Sequence, residues 1–188
     1  EGPGFSSITK NINIEDKFED TYTDPRDNQT YDVLKIGDQV WFKENLNYYS
    51  KNSCYSNNDS ISNHTLGRLY QWEDALNACP PGWHLPSQDE FCKLARHYEN
   101  DYDCSINIGY AGENVGLYLQ NGEFESNFPG YRAGQSFKGI NDIHSIWTAS
   151  SYSSKEKHFR SIQKNRGEIF HNYANKDLLY FSVRPIKD

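Results

Sequence analysis

The chain of 188 residues has no methionine and no run approaching the ~20 apolar residues that cross a bilayer, so no transmembrane helix is expected. It also lacks a block of lysine and arginine: 19 basic against 26 acidic residues leave a formal charge of −7. Binding to nucleic acid without sequence preference needs a basic stripe that displaces phosphate counterions, so that class is excluded, together with charge-driven attachment to an anionic membrane. The four cysteines, Cys54, Cys79, Cys92 and Cys104, never form C-x-x-C, which excludes a zinc knuckle or a thioredoxin-type motif. The six histidines (His64, His84, His97, His144, His158 and His171) form neither H-x-H nor H-E-x-x-H, so no metal site is encoded locally. No G-x-S-x-G elbow and no phosphate-binding glycine motif occurs. The adjacent acids Glu73-Asp74 and Asp89-Glu90 point apart on a helix and cannot be the facing carboxylates of a glycosidase. A non-enzymatic role is the reading these absences leave in front, with no cofactor.

What the chain has in quantity is aromatic rings: 14 tyrosines, 10 phenylalanines and 4 tryptophans. This content supports one domain with a core of large rigid side chains, with Trp72 and Trp147 assigned to it, and tyrosine hydroxyls left for water or ligand. Residues 1 to 20 are polar with no sustained period and read as a tail or linker, and the folded domain is expected over 21 to 188. Gly37-Asp38 separates two strand-like runs, a glycine-first pair suited to a two-residue hairpin. Leu69, Trp72 and Leu76 lie on one face of a helix expected over Tyr70 to Ala78, which Pro80-Pro81 terminates. Ser87 and Glu90 have capping-box spacing ahead of a second helix carrying Phe91, Leu94, Ala95 and Tyr98. Glycines scattered from 109 to 139 predict long loops. Strands then follow at 145–150, 158–163, 168–173 and 179–186, joined by turn-prone residues. Two short helices, long loops and a late, twisted antiparallel sheet make an α+β fold.

Several segments agree, in order, with one known pattern: "GDQVWFKENLNY" ending at Tyr48, "GRLYQW" at 67–72, "CPPGWHLPS" at 79–87, "PGYR" at 129–132, "WTASS" at 147–151 and the terminal "FSVRPIKD". Over about residues 21 to 188 the chain resembles the Fibrobacter succinogenes major paralogous domain family. The resemblance implies a secreted or lipid-anchored bacterial surface protein, extracellular or on the outer membrane, with a C-type-lectin-like fold distantly similar to formylglycine-generating domains. Those distant relatives use a late pair of cysteines, and none lies beyond Cys104 here, so that activity is not carried over. Phe42 and Phe91 stand where the family often has methionine and tryptophan, and Pro185 where a cysteine is often seen.

In an exported protein the four cysteines read as disulfides, with four buried thiols as the alternative. Three connectivities are open. Cys54–Cys79 with Cys92–Cys104 is the expected one, since the second bridge closes a short loop from the capped helix. Glu-Pro-Asn and Gln-Pro-Asp, the calcium and sugar tripeptides of true C-type lectins, are absent, although Asn57-Asn58-Asp59 and Asn141-Asp142 offer oxygen donors for calcium. In a lectin-like fold the ligand face would fall on the loops and late strands, within residues 130–175. Tyr131, Arg132, Tyr152, His158, Arg160, Arg166, His171 and Tyr173 are the candidate ligand-binding residues, with rings stacking on sugar C–H patches and Arg or His donating hydrogen bonds. The expected role is recognition of a glycan or a cell-surface protein in adhesion or surface assembly. The alternatives are a polysaccharide-active enzyme or accessory and a structural fimbrial or lipoprotein module.

Overall fold

Gly37 turns the chain with φ +62°, a conformation glycine adopts without cost. In the computed structural model, which describes residues 19–122 and 124–188, β2 (Thr30–Ile36) and β3 (Gln39–Phe42) pair antiparallel across Gly37-Asp38, with Ile36 opposite Gln39. β1 (Glu19–Thr23) adds to the outer edge of β2. Glu19 and Asp20, the last two residues of the expected tail, belong to β1, and the rest of that tail lies outside the described residues.

Strand alternation sends neighbouring side chains to opposite faces, and β3 is buried on both: Trp41 and Phe42 are each 0% exposed. Trp41 packs edge-on against Phe91 in a cluster with Leu34, Leu94, Phe124 and Ile186. Phe42 packs against Trp83 in a second cluster with Tyr70, Trp72, Trp147 and Phe181. The assignment of Trp72 and Trp147 to the core holds. Each buried indole N–H finds a carbonyl, Trp147 Nε1 donating to Tyr70 O and Trp72 Nε1 to Thr148 O, both at 2.8 Å.

The first sheet has the order β1-β2-β3-β14-β6, with β6 at Trp83–His84 and β14 at Ile186–Lys187. The second runs β4 (Ser53–Cys54), β5 (Leu69–Tyr70), β13 (Leu179–Ser182), β10 (Ile143–Ser151), β11 (Glu156–Gln163), β12 (Ile169–Asn175) and β7 (Gly109–Ala111). A small hairpin of β8 (Tyr131–Ala133) and β9 (Ser136–Lys138) attaches to β13. Among the described residues the named strands pair antiparallel except β10 and β13, which run parallel with Ile146 opposite Ser182. β13 leaves its chain neighbour β12 and docks between β5 and β10, where Phe181 reaches Trp147 at 4.4 Å between ring centroids. The single strand expected over 179–186 is thereby two strands in two sheets, separated by Val183, Arg184 and Pro185.

Among the described residues three α-helices, rather than the expected two, accompany these sheets. α1 spans Trp72–Ala78. Leu69 and Tyr70 are drawn out of it into β5 by pairing with β4 and β13, and Leu76 faces outward instead of inward. Its C-terminal carbonyls, which lack partners within a helix, accept from Arg26, whose guanidinium is itself held by Asp24. α2 spans Gln88–Tyr98 and has the expected capping box: Glu90 N donates to Ser87 Oγ, and Ser87 N donates to the Glu90 carboxylate. Phe91, Leu94 and Ala95 are buried and Tyr98 packs partly buried beside them. α3, Val115–Asn121, falls inside the stretch read as loops. Its first amides are satisfied from afar by the Glu99 carboxylate, and Gly116 is required because a Cβ there would lie 2.7 Å from Gly167 O. Asn114 and Gly122 stand at its two ends, but the Asn114 side chain makes no capping hydrogen bond.

Of the two expected bridges, Cys92–Cys104 is formed, with its Cα atoms 5.6 Å apart. Cys54–Cys79 is not; both are free thiols. Cys79 Sγ turns back along α1 toward Ala75 O, and Cys54 is buried on β4 beside Arg132, so the two side chains are committed to different surroundings.

A buried polar hub ties the sheets together. Asn45 Oδ1 accepts from His144 Nε2 at 2.9 Å and from Arg184 Nε at 3.2 Å, while its amide donates to Leu66 O and Asn127 Oδ1. Arg184, fully buried, also donates to the carbonyls of Lys43 and Phe124. Gly67 lies against this hub, since a Cβ there would come within 2.6 Å of Asn45 Cβ. Burial holds the His144 pKa well below the ordinary histidine value, and the nearby Arg184 cation acts in the same direction.

Candidate functional site

β11 and β12 pair with His158 opposite Tyr173 and Arg160 opposite His171. Residues two apart on a strand share a face, so these four side chains line one side of the ribbon. A bulge in β10 between Trp147 and Ser151 shapes the end of this face. Thr148 Oγ1 donates to His158 O, Ala149 N donates to Pro86 O, and Ser150 Oγ accepts from Gln88 N, so the bulge binds the start of α2 to the sheet. The turn that follows carries Tyr152 over β12. Its backbone is pinned by the paired amides of Tyr152 and Ser153 on Glu156 O and by Lys157 Nζ donating to Ser151 Oγ and Ser153 O.

Tyr152 and Tyr173 stack with ring centroids 3.9 Å apart and planes 3° from parallel. Tyr152 is 53% exposed, so the stack presents an aromatic surface to solvent. His158 meets both rings edge-on and is itself buried, with no hydrogen-bond partner for Nδ1. Burial, then the neighbouring Arg160 cation, lowers its pKa below the ordinary value.

Arg160 is only 4% exposed. Its guanidinium donates to Phe159 O at 3.1 Å and to Gln88 Oε1 at 2.7 Å, and among the described residues no carboxylate pairs with it. Burial pushes its pKa down to about 10. Beside it, His171 Nδ1 lies 2.6 Å from Ile106 O, an acceptor, so Nδ1 carries the proton. Nε2 is then the acceptor for the Tyr102 hydroxyl. Burial, followed by Arg160, brings the His171 pKa down to about 4, so the ring is neutral at physiological pH. Gln88, Phe91, Tyr102, Arg160, His171 and the Cys92–Cys104 bridge enclose a small recess between α2 and the sheet.

Five of the eight candidates thus share one face of β11–β12: Tyr152, His158, Arg160, His171 and Tyr173. Three of these, His158, Arg160 and His171, are buried rather than freely exposed. The other three lie elsewhere. Tyr131 packs edge-on against Phe181 from β8, on the far side of β10, and Arg132 lies over the Tyr180 ring. Arg166 sits at the opposite end of the β11–β12 hairpin, over Tyr110 and paired with Glu168. Gln88 and Tyr102 join the face without a signal in the sequence, because the capped helix start and the disulfide loop bring them in from distant positions.

The oxygen-rich segments are turns. Asn57, Asn58 and Asn141 adopt positive φ, and Asp59 Oδ1 accepts from the amides of Ile61 and Ser62. Among the described residues no three His, Cys, Asp or Glu side chains converge. His84 bridges Glu90 and Asp188, as a hydrogen-bonded structural residue would. Burial opposes its charge, but these two carboxylates outweigh it and raise its pKa.

Most of the quoted sequence segments place residues in the interior: Asn45, Gly67 and Arg184 at the polar hub, Trp72, Trp83 and Trp147 in the aromatic core. No curated protein and no solved structure matches the chain. A scaffold encoded by widely spaced, mutually buried segments is what a family signature records, and the model of the Fibrobacter succinogenes major domain matches residues 34–187, more than half of the chain, so the chain belongs to that family.

Proposed function

We propose that this chain is a non-catalytic binding domain that recognises a glycan, displayed outside the cell for adhesion or surface assembly. The observation that carries this reading is the Tyr152–Tyr173 stack, an exposed aromatic face held rigidly by a pinned hairpin turn. Aromatic faces bind the C–H patches of pyranose rings, and a stack fixed before binding loses little side-chain entropy when the ligand arrives. A C-type-lectin-like fold is part of the proposal. It is supported by terminal segments that lie together, β14 beside β3, and by long loops leading into a late sheet. Export is supported by the Cys92–Cys104 bridge, which persists in oxidising compartments.

A glycan array run at neutral pH with calcium, and again with EDTA, tests the reading when Tyr152→Ala is run beside the parent. The expected result is a set of glycans bound by the parent and lost by Tyr152→Ala, with the thermal stability of the variant unchanged. Equal binding by both proteins, or none by the parent, would overturn it. Loss in EDTA would assign the site a calcium ion.

A further inference from the structure

Arg160 is a buried charge that no carboxylate pairs with among the described residues. Buried guanidinium groups are ordinarily paired with a carboxylate or surrounded by acceptors. Arg184 meets four acceptors, Asn45 Oδ1 and the carbonyls of Phe42, Lys43 and Phe124, although its Nη2 has none. Arg160 has two acceptors, Phe159 O and Gln88 Oε1, for its five N–H groups. It lines the recess, and so does Gln88, the first residue of α2, where the positive end of the helix dipole lies. His158, the next residue on the same strand face, lies outside the lining of the recess. The acids that act on Tyr102 and His171 are engaged elsewhere: Asp103 is bound to Ser105, and Glu99 is bound to the amides that start α3. The recess therefore holds one cation, Arg160, with N–H groups left without an acceptor and no carboxylate paired to it among the described residues.

We propose that the recess between α2 and β11–β12 is an anion site, with Arg160 as its centre, that takes a carboxylate group. The carboxylate is presented by an acidic sugar of the bound glycan or arrives as a free small carboxylate. The planar guanidinium suits it, since two N–H groups can meet the two carboxylate oxygens. The glycan source rests on the binding function proposed above, whereas the anion site itself does not.

The test is histidine and arginine side-chain NMR on the intact protein at constant ionic strength. Acetate, glucuronate and an oligogalacturonate are each titrated against a chloride control. Saturable movement of the Arg160 Nε–H and His171 ring signals is expected, with the His171 pKa rising by about one because a nearby negative charge favours the imidazolium. The charged groups that act on His171 besides Arg160 are His158 and Asp103, so their titrations are followed in the same spectra. Saturation by acetate and glucuronate identifies a free carboxylate as sufficient, and saturation by the oligosaccharide alone identifies the sugar acid. No saturable response beyond chloride to any of the three overturns the proposal. Arg160→Gln is expected to lose the response and Arg160→Lys to weaken it. Should neither fold, the parent titration alone decides. Tyr152→Ala leaves the recess intact. A response to acetate that survives in this variant, whatever its glycan-array result, separates the anion site from the tyrosine platform.

Discussion

Acidification should destabilise this protein through His171 before the carboxylates titrate. The ring's pKa is about 4 in the folded state against an ordinary 6.5, and its neutral form is held by a hydrogen bond donated to Ile106 O and one accepted from Tyr102. The folded-state value is depressed, so the stabilisation is present above the unfolded pKa and is lost as pH falls toward the folded one. A difference of that size corresponds to about 3 kcal/mol in all, with about 2 kcal/mol already lost at about pH 5. That is a large share of the ~5–15 kcal/mol that holds a typical domain. Urea denaturation followed by tryptophan fluorescence, repeated between about pH 7.5 and about pH 5, would measure the loss. His144 and the acids add slopes of their own, so the decisive quantity is the difference from His171→Gln, which has no titrating ring. The parent should lose about 2 kcal/mol more than the variant across that range. Parallel curves for the two proteins would refute the reasoning and mean that His171 reaches solvent or changes partners when it protonates.

Replacing both Cys92 and Cys104 with serine opens a loop of sequence separation 12, and chain entropy alone predicts a loss of about 3 kcal/mol, read as a lower urea midpoint. The same double replacement loosens one wall of the recess, so it should also broaden the Arg160 side-chain signals. Asn45→Ala removes the acceptor shared by His144 and Arg184 and leaves two buried donors unmet. At about 1–3 kcal/mol for each, the expected cost is about 2–6 kcal/mol, measurable by denaturation if the variant is recovered folded. A cost below that range would show that water or another carbonyl replaces Asn45.

The elements legible in the sequence are those whose cause is local. A glycine that must take positive φ marks the Gly37-Asp38 hairpin, and serine and glutamate three apart mark the start of α2. The alternation and turn residues of 145–173 mark three antiparallel strands of the late sheet. α3 was not legible, because its amides are capped by Glu99 from another element and its glycine answers to Gly167 rather than to its neighbours. For the same reason residues 179–186 read as one strand although their halves join different sheets.

The candidate face divides in the same way. Strand periodicity by itself determines that His158 and Arg160 share one side of a strand, and that His171 and Tyr173 share one side of another. Tertiary structure alone decided that these sides coincide, that the turn lays Tyr152 flat on Tyr173, and that Arg160 is enclosed by α2 with no acid beside it. Pairing register and burial are sums over contacts between distant segments, whereas the sequence signals of turns and caps depend on residues three or four apart. The disulfides follow that division too: the Cys92–Cys104 loop is closed between close neighbours, and the distant Cys54 and Cys79 were kept apart by the packing of β4 and α1.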